Sequence, residues 1–179
     1  MIPSDHLERL SLLHRELGIA ETFVSQTSLP FCKEVAIADL VVAQLDYAGR
    51  PLVLTGPAAV AWREMHAAAC KDGVDLLAFS SFRSYVYQKG LLAAKLKKGV
   101  PLAEVLKVLA PPGYSEHHLG EALDISTHDC PQAEEVFATT DAYRWLVNHG
   151  ASYGFYETYS KNNKHGIVFE PWHWRFIAK

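Results

Sequence analysis

Ser115-Glu116-His117-His118-Leu119-Gly120-Glu121-Ala122-Leu123-Asp124 sets an imidazole and a carboxylate seven residues apart, with a glycine between them. A continuous helix would also bring positions seven apart onto one face, so spacing alone leaves the geometry open. Gly120, the preceding Pro111-Pro112-Gly113 and the extended character of Ala122-Leu123-Asp124-Ile125-Ser126 favour a loop residue followed by a strand residue. A second segment, Glu170-Pro171-Trp172-His173, supplies another imidazole and another carboxylate. On an ideal strand Glu170 and His173 point to opposite faces. Pro171 offers a way out, because proline marks a strand start, an edge or a bulge, and a break there turns Glu170 toward His173.

Two imidazoles and a carboxylate are the ligand types of an open catalytic zinc site. Structural zinc is normally enclosed by four protein ligands and leans on cysteine, whereas three N/O ligands leave a position for water, the reagent of a hydrolase. In this reading His117, Asp124 and His173 hold Zn2+, whose water titrates near pH 7. Glu170 stays unligated, takes the water's proton and passes it to the leaving amine. The tetrahedral oxyanion needs a positive donor, and Arg83, closing the run Ser80-Ser81-Phe82-Arg83, is the candidate. His118 competes with its neighbour His117. The other histidines, His6, His14, His66, His128, His149 and His165, read as surface or core residues, and Trp62, Trp145, Trp172 and Trp174 as core aromatics. Taken alone, Arg83 would serve equally well in a structural ion pair and Glu170 as an exposed strand charge.

The 179 residues, 49% hydrophobic and 21% charged, fit one domain with a proper core. A net charge of −3 argues against a nucleic-acid partner, and Lys95-Leu96-Lys97-Lys98 reads as the solvated end of a helix. Cys32, Cys70 and Cys130 are odd in number and form no CxxC pair, so they read as free thiols. The first residues show no basic region followed by an apolar run, and no stretch of about 18 apolar residues could span a membrane. The expectation is a soluble, cytoplasmic chain.

Ser4 is expected to cap a first helix with Leu7, Leu10, Leu13 and Leu17 on one face, ended by Gly18. Residues 20–35 read as irregular. Leu40–Leu45 and Leu52–Leu54 form a hairpin around Gly49, and Pro57 opens a helix that runs to Gly73. A strand follows at Asp75–Phe82, then a helix ending near Gly99 and a short one at Leu102–Leu109. Ala122–Ser126 reads as strand, Pro131–Phe137 and Asp141–His149 as helices with Gly150 as the stop, and Ile167–Phe169 and Trp172–Ile177 as closing strands. Helices interleaved with an antiparallel sheet make an α+β fold.

These contexts resemble the zinc D-alanyl-D-alanine carboxypeptidases, the VanY-like group related to VanX-type dipeptidases and to some phage endolysins. Ser115, His117, Gly120, Ala122 and Asp124 meet the pattern Ser-x-His-x-x-Gly-x-Ala-x-Asp in full. Glu170 and His173 meet Glu-x-x-His inside Glu-Pro-Trp-His-Trp-Arg, and Ser80, Arg83, Ser84 and Gln88 match an upstream Ser-x-Tyr-Arg-Ser-x-x-x-Gln, with Phe82 in place of the usual tyrosine. The resemblance implies that His117, Asp124 and His173 are the zinc ligands, Glu170 the base and Arg83 the transition-state stabiliser. It further implies that Gln88 and Ser115 hold the substrate's terminal carboxylate or backbone. The implied fold packs helices on a small antiparallel sheet with zinc in a cleft. Residues 55–179 form the peptidase core, and residues 1–54 a helical and hairpin portion packed on it within one structural domain.

The expected reaction is hydrolysis of the terminal D-Ala-D-Ala bond of peptidoglycan stem peptides. An L-alanyl-D-glutamate endopeptidase and a cytoplasmic D-Ala-D-Ala dipeptidase are the alternatives within the class. The absence of a wall-binding module after Lys179 weighs against the endolysin type, and a cell-wall substrate would call for a periplasmic or extracellular location. A zinc module acting only by binding, as in the similar hedgehog signalling domain, would need neither Glu170 nor Arg83.

Overall fold

The computed structural model describes residues 4–178, apart from the side chains of residues 4 and 5, so the cap expected of Ser4 lies outside the described residues. Helix α1 (Ser4–Glu16) turns Leu10 and Leu13 inward, followed by buried Leu17, while Leu7 remains 42% exposed. A single helical turn, α2 (Phe23–Gln26), interrupts the irregular stretch. Strands β1 (Leu40–Leu45) and β2 (Pro51–Thr55) pair as an antiparallel hairpin that packs on α3 (Gly56–Lys71).

The main sheet is antiparallel, in the order β3 (Leu77–Ser80), β4 (Ala122–Ser126), β6 (His173–Phe176), β5 (Phe155–Glu157). Helices α4 (Tyr85–Lys97), α5 (Leu102–Val108) and α6 (Asp141–His149) complete the α+β fold. Every residue of β4 is buried. Side chains alternate along a strand, so Leu123 and Ile125 join one core cluster with Leu54, Trp62, Met65 and Leu146, leaving Asp124 to the opposite face. Full burial of each such aliphatic side chain contributes roughly 1.5–3 kcal/mol. No helix among the described residues is long and apolar enough to cross a membrane.

Three local expectations differ from the structure. Pro131–Phe137 is not a helix: Ala133 takes a left-handed backbone (φ 57°), and only a 3-10 turn at Glu135–Thr139 forms. As expected, α6 ends at His149 with Gly150 as its C-cap, although the Gly150 backbone stays right-handed and the chain runs on into a 3-10 turn at Gly150–Tyr153. Its lack of a side chain also serves packing, since a Cβ would lie 3.0 Å from the Trp174 ring and 3.1 Å from the Phe155 carbonyl. Ile167–Phe169 joins no ladder; the adjoining amides of Val168 and Glu170 bond singly to Lys107 and Tyr159. Finally, β3 is shorter than Asp75–Phe82, and the three-residue β5 is too short to register as an alternating pattern.

Gly120 is the tightest joint near the cleft. It links the 3-10 turn Glu116–Leu119 to β4 with a left-handed backbone (φ 67°), and a Cβ there would stand 2.8 Å from Leu40 Cδ2. Gly120→Ala meets both a backbone penalty and overpacking, and is expected to cost about 2–4 kcal/mol. Chemical denaturation of the metal-free protein measures this; a loss below about 1 kcal/mol would show that Leu40 yields freely.

Candidate active site

Strand register builds the site. Directly opposite residues of an antiparallel pair project to the same face. Asp124 lies opposite Ser80 on β3 and opposite His173 on β6, which places three side chains in one row across three strands. The pairing slips between Ala78 and Ser80, a bulge that puts Ser80 rather than Phe79 in that row. The break expected at Pro171 is present: the His173 amide bonds the Glu170 carbonyl across a turn, and both residues line one cleft of about 270 Å³.

The fourth contributor is the Glu116–Leu119 turn, laced to the segment after β3. His117 Nδ1 donates to the Ser81 carbonyl (2.7 Å), the Arg83 amide donates to the His117 carbonyl (3.1 Å), and His118 Nδ1 donates to the Arg83 carbonyl (2.6 Å). This separates the two adjacent histidines. His117 Nε2 lies 3.2 Å from Asp124 Oδ1, whereas His118 points away, edge-on to Tyr85, with its Nε2 buried and unpartnered. His118→Ala is accordingly expected to retain zinc and His117→Ala to lose it; metal analysis of the dialysed proteins decides, and the reverse order would overturn the assignment.

His117, Asp124 and His173 each offer one ligand atom, all within 4.8 Å of one another. Burial and the nearby Arg83 cation hold His117 down at about 4, so it is neutral at neutral pH. With its proton on Nδ1, His117 aims the Nε2 lone pair at a carboxylate oxygen. Two acceptors facing each other at 3.2 Å are resolved by a cation between them, and the donor set suits zinc. Asp124 is also buried, which opposes its charge, but His117 and Arg83 outweigh this and hold its carboxyl well below the usual range.

His173 donates from Nε2 to Glu116 Oε2 (2.9 Å) and places Nδ1 3.1 Å from Asp124 Oδ1. Burial disfavours its charge, but the bonds to Asp124 and Glu116 prevail and lift it to about 10. Glu116 is likewise buried, yet the bond and charge of His173, with Arg175, bring it down to about 2. Sequence reasoning assigned Glu116 and Arg175 no role, although both lie inside the two motifs. Tyr159, which stacks on the His173 ring at 4.7 Å, was also missed. Its only signal was an aromatic residue in an irregular stretch.

Arg83 gives Nε and Nη2 to Ser80 Oγ, and Nη2 also to Asp124 Oδ2. Oδ1 therefore faces the histidines while Oδ2 is held back. Nη1 makes none of these bonds, and Arg83 lines the cleft. Glu170 lines it too; burial is the main cause of its rise to about 7, where a base works best at neutral pH. Gln88 Nε2 donates to the Ala110 carbonyl (2.8 Å), leaving Oε1 buried without a partner. Ser115 is buried and lines the same cleft. Trp172 packs against the main core, as expected, but is only partly buried and also forms part of the cleft wall, unlike Trp62, Trp145 and Trp174.

The family model of VanY, D-alanyl-D-alanine carboxypeptidase, matches residues 52–179, a span holding every site residue above. The chain belongs to this family. As a D-alanyl-D-alanine carboxypeptidase family member it is 34% identical to YodJ of Bacillus subtilis over 151 residues, 79% of this chain and 54% of YodJ. Among solved structures, the LdcB LD-carboxypeptidase shares 30% identity at a TM-score of 0.72, covering 81% of this chain and 71% of LdcB. VanYB in complex with D-alanine-D-alanine shares 28% at a TM-score of 0.62, covering 80% and 81%. The chain spans about half the length of the curated relatives it matches.

Proposed function

We propose that this chain is a zinc-dependent D-alanyl-D-alanine carboxypeptidase that hydrolyses the terminal peptide bond of peptidoglycan stem peptides. The observation that carries the reading is the convergence of His117 Nε2, Asp124 Oδ1 and His173 Nδ1 in a cleft also lined by Glu170, whose carboxyl lies outside that cluster and is raised to about 7. Zinc, when bound, supplies Lewis-acid polarisation of water and of the scissile carbonyl. Glu170 accepts the proton of the attacking water and delivers it to the leaving amine. Arg83 offers Nη1 to the developing oxyanion while its other edge keeps Asp124 oriented. The unpaired Gln88 Oε1 is an acceptor for a substrate N–H, and a good partner there relieves a penalty of about 1–3 kcal/mol. The Ser115 hydroxyl is the further polar group proposed to hold the substrate's backbone or terminal carboxylate.

The likeness to VanYB in complex with D-alanine-D-alanine supports the D,D bond. The likeness to the LdcB LD-carboxypeptidase favours a second reading, in which the terminal D-alanine is removed from a tetrapeptide with an L-centred residue before it. Mass analysis after incubation with zinc and matched penta- and tetrapeptides separates them. D-alanine released from the pentapeptide alone supports the first reading, and release from the tetrapeptide alone replaces it with the second. A protein that holds zinc and cleaves neither peptide, nor an L-Ala-D-Glu bond, nor free D-Ala-D-Ala would be a binding module.

A further inference from the structure

Glu116 occupies the strongest polar position outside the three ligand atoms. Its side chain is 4% exposed. Oε2 accepts from His173 Nε2 at 2.9 Å, and Oε1 accepts from Arg175 Nη1 at 3.1 Å. Arg175 is anchored in turn by Glu121 at 3.4 Å. His173 and Arg175 are two apart on β6 and so project to one face. The 3-10 turn thus serves both histidines: His117 comes from it directly, and the residue before His117 reaches across to the far nitrogen of His173.

We infer that Glu116, clamped by Arg175, is a positioning carboxylate that fixes the tautomer and ring orientation of His173 and sets how tightly the chain holds its metal. This rests on the reading of His173 as a zinc ligand. A carboxylate accepts and cannot donate, so Nε2 keeps its proton toward Glu116, and the Nδ1 proton that bonds Asp124 Oδ1 is the one a metal would displace, leaving the Nδ1 lone pair as the ligand. The negative charge also raises the donor strength of Nδ1, as outer carboxylates do for metal-bound imidazoles. His117 is backed only by the neutral carbonyl of Ser81. The two imidazoles are therefore unequal donors, with His173 the stronger. Stacking by Tyr159 holds the ring plane, so rotation about the Cβ–Cγ bond is blocked from the face as well as from both edges.

Glutamine is the informative replacement because it keeps the volume. Its carbonyl can serve His173 or Arg175 but not both; the other meets an N–H facing an N–H, and in one orientation the wrong His173 tautomer is favoured. Glu116→Gln is expected to weaken zinc binding by about 10–100-fold in chelator competition, and to alter the visible spectrum of the cobalt(II) form. Wild-type protein is titrated first. Failure of wild type to bind zinc removes the metal-site reading itself, whereas normal wild-type binding with a Glu116→Gln constant within about threefold overturns the inference alone. Side-chain 15N shifts of zinc-loaded wild type provide an arm independent of the variant's folding. A protonated Nε2 and metal-bound Nδ1 on His173 support the assignment, and the opposite pattern overturns it.

Discussion

Replacing Glu170 with glutamine is expected to lower kcat by about 10²–10⁴-fold while zinc content stays at the wild-type level. Two observations separate the base from the ligands. Glu170 takes part in none of the bonds that join His117, Asp124 and His173, and it stands outside their cluster of ligand atoms. Its carboxyl is raised to about 7, chiefly by burial, with the Asp124 charge adding to the rise and the His173 and Arg83 charges opposing it. A base must be ionised to accept a proton, so activity rises with pH through that region and falls below it. The positive charge of a bound metal moves this limb to lower pH. In the glutamine variant nothing titrates at this position, and the acidic limb disappears from the residual kcat/KM profile. A variant retaining more than a tenth of the wild-type rate, or losing its zinc, would remove Glu170 from the role of base.

Arg83→Lys is expected to lower kcat by about 10²–10³-fold. The guanidinium holds Ser80 with two nitrogens and restrains Asp124 Oδ2, and Nη1, outside these bonds, is the one proposed for the oxyanion. An ammonium is a single point and cannot hold that fork. Arg83→Ala removes the charge as well, leaving the buried Asp124 only the His173 imidazolium as a cationic partner, and costs about 3 kcal/mol of stability in the metal-free protein. The Arg83 side chain keeps 14% exposure, which places the cost at the lower end for buried pairs. Steady-state rates and denaturant midpoints measured on both variants test this. A lysine variant with near wild-type kcat would show that charge alone suffices and that the fork has no catalytic part.

Much of the site was legible because its chemistry is local in sequence. His117, Gly120 and Asp124 lie within eight residues, as do Glu170 and His173, and ligand type together with a glycine and a proline carried the reading. Helix ends were legible for the same reason, since proline at a first turn and left-handed glycines such as Gly73 and Gly99 act on their immediate neighbours. Other features depend on residues far apart. The Arg83–Asp124 pair spans 41 residues and the Glu116–His173 bond 57, and neither leaves a local mark. The share of Trp172 in the cleft wall is not legible, because a tryptophan's hydrophobicity is the same whether it packs wholly inside or also walls a cleft. The helix expected at 131–137 failed because the Ala133 backbone is left-handed, which composition does not announce.

What the sequence by itself determined is the donor inventory, the alternation of helices and strands, and the membership those motifs declare. Only the tertiary structure decided which nitrogen of each histidine faces the carboxylate, that His118 turns away, that a bulge sets Ser80 beside Asp124, and that Glu116 stands behind His173. The physical reason is that a residue type carries its own pKa and bonding capacity, whereas tautomer, orientation and burial are set by partners that only strand register and the Glu116–Leu119 turn bring within hydrogen-bonding reach.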